Sequence, residues 1–110
     1  MAVGDRSELR LAGPTAVGTT STTILTVPAG SVYVTKQVLF TNTNGVDAYI
    51  TVAIGSVATP GDCIFYNLPI AGYDTVVFDT ALVLDTAETL TGISDRGGIN
   101  VTVTGWDKEV

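Results

Sequence analysis

The chain has no histidine, one cysteine, one tryptophan and only five Lys and Arg among its 110 residues. Each shortage excludes a class of chemistry. Without histidine no Ser-His or Cys-His relay can form, and no side chain with an unperturbed pKa near neutrality is at hand as a general base. A lone Cys63 cannot form an internal disulfide, and without imidazoles there is no ligand set for structural zinc, so Cys63 reads as a small core residue. Eleven acids against five cations give a net charge of -6, which leaves too few cations for the phosphate contacts of a nucleic-acid partner. No apolar run reaches the roughly 18 residues of a membrane-spanning helix. Met1 to Arg6 lack the charged-then-apolar layout of a secretion signal, so the expectation is synthesis in a cytoplasm, with neither membrane nor nucleic acid as partner.

What remains is neutral and β-branched. Hydrophobic residues make up 45% of the chain and charged residues 15%, against about 25% charged in a usual soluble domain. Thr, Ser, Asn and Gly must therefore supply much of the surface, a composition suited to a subunit that lies against neighbours. The length fits one domain with a real core. Thr and Val crowd the Cβ and favour extended backbone, and short apolar runs alternate with turn signals.

Strands are expected at 23–27, 32–41, 47–54, 63–68, 75–78, 82–84, 89–94 and 99–105. Pro28-Ala29-Gly30-Ser31, Thr59-Pro60-Gly61-Asp62, the segment 69–74 and Asp95-Arg96-Gly97-Gly98 supply turns. Asn44-Gly45 is the strongest hairpin signal. In the second strand Val32, Val34, Val38 and Phe40 share one parity with Lys36 between them, which requires a snorkelling edge lysine or a bulge. The segment 63–68 has two apolar faces, as a central strand or an interface would. The predicted fold is all-β: an antiparallel, jelly-roll-like sandwich of about eight strands over residues 23–110, with an extended N-terminal arm over 1–22 held by a neighbouring chain or folded back on its own sandwich.

No catalytic, cofactor or metal site is expected. Asp74, Asp79, Asp85, Glu88 and Asp95 could in principle pair as glycosidase acids or bind calcium, but they fall at predicted turns, where carboxylates cap backbone amides, and no spacing resembles a calcium loop. Asn100-Val101-Thr102 matches a glycosylation sequon without a secretion signal. Tyr33 and Tyr49 oppose the apolar parity of their strands. Together with Trp106 they could form a ring platform for a glycan, but cross-strand packing or a subunit contact is the preferred reading. The residues expected at an interface are Arg6, Leu9 and Leu11 of the arm, with Tyr33, Tyr49, Phe65 and Trp106.

From Thr23 the segment TILTVPAGSVYVTKQVLFTNTNGVDAYITVAIG, and later CIFYNLPIAGYDTVVFDTALVLDTAETLTG, resemble small structural proteins of tailed bacteriophages: a TVPAG turn, a long strand, an Asn-Thr-rich turn, an alternating return strand, then an LPI turn. The resemblance covers residues 23–105. It implies a virion component that acts as a homo-oligomer or in many copies against major capsid or tail proteins. Capsid decoration is the leading expectation, a tail, baseplate or fibre role the next, and a carbohydrate-binding host-recognition module the third.

Overall fold

The computed structural model describes residues 6–57 and 60–109. Nine strands run in chain order: β1 (Arg6–Val17), β2 (Thr22–Thr26), β3 (Ser31–Asn42), β4 (Ala48–Ile54), β5 (Cys63–Ile70), β6 (Thr75–Asp79), β7 (Val83–Leu84), β8 (Thr89–Ser94) and β9 (Ile99–Glu109), with one 3-10 turn at Pro60–Asp62. They form two antiparallel sheets. One has the order β1-β9-β3-β6 with β7 also on β3, and the other the order β2-β8-β4-β5.

The pairings nest. β1 pairs with β9, β2 with β8, β3 with β6 and β7, and β4 with β5. The chain is thus one long antiparallel ribbon whose successive rungs fall alternately in one sheet and the other. Pairing of β3 with β9 and of β4 with β8 joins the rungs into sheets. This winding is a jelly roll, which fits a sequence of many short strands separated by turns.

All eight expected strands are present. The ninth is β1: of the two outcomes expected for the N-terminal segment, its described part takes the fold-back, with residues 6–17 lying against β9 as an edge strand and Val17 fully buried. Its periodicity was illegible because the register shifts twice, between Arg10 and Ala12 and again before Thr15. The Asn44-Gly45 hairpin is a correction. β3 and β4 lie in different sheets, so this segment is a corner between layers, and the positive φ angles that a type I′ turn requires occur elsewhere. The corner is fastened from within. Asn42, buried, donates its amide to the carbonyls of Val46 (3.0 Å) and Ile70 (2.9 Å), and its Oδ1 accepts the Asn44 N–H (2.8 Å).

A bulge resolves the parity of β3. Thr35 stands opposite Gly105 and Gln37 opposite Thr104, so Lys36 is an extra residue. Beyond it the faces exchange: Val38 and Phe40 point inward and are buried, whereas Val34 is only half-buried and shares the outer face with Trp106. Gly105 makes the bulge possible, because a Cβ there would lie 2.8 Å from the Thr35 Cα.

The core lies between the sheets. Val38, Phe40, Val101 and Val103 of one sheet meet Ile50, Val52, Ile70 and Leu90 of the other, all essentially without exposure. Each such side chain contributes about 1.5–3 kcal/mol by leaving water. Phe40, Phe65 and Phe78 form an aromatic group with centroid separations of 5.0–6.0 Å. β5 is an edge strand, not a central one, and Cys63 at its start is half-buried, outside the core.

Candidate functional site

On the outer face of the larger sheet, Val83 of β7, Val34 of β3 and Trp106 of β9 stand in one cross-strand row. A second apolar pair, Leu39 and Val77, lies further along the same face. Val77 and Val83 are about half exposed. Thr41, Thr75, Thr102 and Thr104 fill the places around them, so much of this face is neutral, with Asp79, Arg10 and Lys108 as charges on it. Such a surface loses little charge solvation when another protein covers it. Trp106, expected as an anchor, therefore sits in a row of aliphatic side chains on an outer face.

The other expected interface residues do not gather there. Arg6 and Leu9 occupy positions opposite Lys108 and Gly105, and their side chains lie outside the described residues. Leu11 is half-buried against the core. Phe65 points inward to the aromatic group. Tyr49 is exposed on the smaller sheet. Tyr33 lies on the larger sheet and packs against the core, opposite Leu84 and Asp107. A shared Tyr33–Tyr49–Trp106 ring platform is therefore not assembled, because the Lys36 bulge turns Tyr33 inward and the corner at Asn44 sends β4 to the opposite layer. Burial, and next the negative charge of Asp107, raise the pKa of the Tyr33 phenol above its ordinary value.

Other features were not anticipated from the sequence. Tyr73 has a positive φ of 57° and is 79% exposed, with its N–H donated to the Asn44 carbonyl and its ring lying over Gly45. Val46 is exposed on the adjoining corner. A bulky residue in left-handed backbone carries no local sequence signature, so only the contact between the two loops reveals it. At the open side of the sandwich, Ile64 and Phe65 of β5 face Phe78, Ala81 and Leu82 across an apolar groove of about 400 Å³. A second hollow of about 260 Å³ beside Tyr49 is lined by Thr51, Asn67, Ile93 and Asp95.

Five carboxylates are engaged with the chain itself. Asp47, Asp74, Glu88 and Asp95 accept the backbone N–H groups of Gly72, Thr75, Asp85 and Tyr49, and Asp79 accepts the Gln37 amide. Among the described residues there is no group of three or more His, Cys, Asp or Glu side chains that could hold a metal ion. No described helix is long and apolar enough to cross a membrane.

No family model and no curated protein sequence matches the chain. Its fold is similar to that of a chain in the crystal structure of the T13 IBDV viral particle, with a TM-score of 0.51 and 12% identity over 98% of this chain and 29% of that one. A chain from the structure of the infectious bursal disease virus Gx strain aligns over 97% of this chain and 30% of its own length, with a TM-score of 0.47 and 10% identity. This chain thus spans less than a third of the length of either. What is shared is the fold.

Proposed function

We propose that this protein is a non-enzymatic structural subunit of a virus particle, acting by burial of neutral and apolar surface against other subunits. Within that reading its place is capsid decoration in a tailed bacteriophage, in contact with further copies of itself and with the major capsid protein. The observation that carries the reading is the jelly-roll winding, shared over 98% of the chain with part of a chain of a viral particle. The Val83–Val34–Trp106 row and the low surface charge support it, as does the resemblance of residues 23–105 to phage structural proteins.

The test is the composition of purified particles. The chain should appear in many copies by mass spectrometry, remain with heads when heads and tails are separated, and be incorporated several-fold less well as Trp106→Ala. Recovery with tails would replace decoration by a tail role. Absence from both would overturn the proposal.

A further inference from the structure

Five strands form the lateral edges of the two sheets: β1, β2, β5, β6 and, in line with β6 along β3, the two-residue β7. Unpaired edges template association, and proteins blunt them with bulges, proline or charge. β1 contains Pro14 and two register shifts. β2 is shifted between Thr23 and Leu25. β5 carries two shifts, Pro69 and a left-handed Asn67 (φ 48°). β6 has neither shift nor proline, and its one charge is Asp79 at its end: Thr75 to Asp79 pair with Thr41 to Gln37 residue for residue.

The direction of its free groups follows from the ladder. The Asn42 N–H donates to the Asp74 carbonyl and the Thr80 N–H to the Lys36 carbonyl, each at 2.9 Å. Hydrogen-bonded pairs alternate along an antiparallel ladder, so Val76 and Phe78 also bond toward β3. Thr75, Val77 and Asp79 direct their N–H and C=O groups away from the sheet. Thr75 N–H is taken by its neighbour Asp74 Oδ1 (2.9 Å); the Val77 and Asp79 donors and all three carbonyls point outward.

We infer that β6 pairs antiparallel with β6 of a second copy about a two-fold axis through Val77, joining the two larger sheets into one. In this register Val77 exchanges both main-chain bonds with Val77 of the second copy, and each Asp79 N–H reaches the Thr75 carbonyl opposite. The edge is complementary to itself: each Asp79 faces a threonine, whereas a parallel arrangement would set the two carboxylates side by side. The same contact places Val76 and Phe78 of one copy beside the apolar groove of the other at Phe65, Phe78 and Leu82. This inference rests on the assembly reading above and specifies one of its contacts.

The test uses the full chain in solution. Sedimentation equilibrium should show a dimer, and amide exchange followed by NMR should show Val77 and Asp79 becoming protected as concentration rises. Val77→Lys changes a half-exposed side chain, so the monomer should keep its far-UV spectrum while the dimer Kd rises by about tenfold or more, since like charges then meet on the axis. A protein that stays monomeric, a dimer in which the Val77 and Asp79 amides exchange freely, or a dimer unaffected by Val77→Lys would each overturn the pairing. A monomer found in virions would overturn it and leave the proposed function standing; a β6 dimer absent from virions would do the reverse.

Discussion

Tyr33 and Asp107 stand opposite each other on β3 and β9, and Asp107 keeps one carboxylate oxygen, Oδ1, buried without a hydrogen-bond partner. The pair lies on the N-terminal side of the Lys36 bulge in β3, where the exchange of faces turns both residues toward the interior. Its electrostatic consequence is the raised Tyr33 pKa, caused first by burial and second by the charge of Asp107.

Because the fold favours the neutral phenol, its contribution to stability is complete below the ordinary value of 10.0 and is lost as pH rises through the raised one. Tyr33→Phe should therefore lose less stability than the wild type when the pH is raised above 10.0. Asp107→Asn should lower the Tyr33 pKa without returning it to the ordinary value, since burial remains. Ultraviolet titration of the phenols reads both effects, and an unchanged Tyr33 titration in Asp107→Asn would contradict the coupling.

Gly105→Ala tests the bulge. The added methyl would fall on the backbone of Val34 and Thr35, which cannot rotate aside. A loss of about 2–3 kcal/mol is expected in urea denaturation, at the upper end of overpacking costs. An unchanged midpoint would show that β3 can slip to accommodate it.

Asn42→Ala removes three hydrogen bonds at the corner between the sheets and leaves the Val46 and Ile70 carbonyls without the amide they accept. The expected cost is about 3 kcal/mol, read by denaturation and by faster amide exchange at Asn44. A neutral result would mean that the corner is set by the strands alone.

Ala87 is exposed and left-handed (φ 68°), with its N–H bound to the Val27 carbonyl. Glycine relieves about 1–2 kcal/mol of backbone strain there, against some 0.4–1 kcal/mol of added unfolded-state entropy. Ala87→Gly should raise the melting temperature, whereas the same change at Ala81, outside the left-handed positions, should not.

Local patterns in the sequence were enough for the fold class and for the position of eight of the nine described strands. Alternation in segments such as Ala48–Ile54 and Ile99–Val103, bounded by glycine and proline, is a local signal of extended backbone with one buried face. The sequence also determined what is missing, since a chain without histidine cannot form an imidazole-based relay in any fold. The tertiary structure decided the rest. Whether Asn44-Gly45 makes a hairpin or a corner depends on which layer each strand joins, and residue preferences at the turn do not contain that choice. One extra residue at Lys36 inverted the faces of Tyr33 and Val34, because side-chain direction has a period of two and a single-residue insertion exchanges inside for outside. The candidate surface followed the same logic: Val34, Val83 and Trp106 are distant in sequence, and only the register of β3 with β7 and β9 makes them one row.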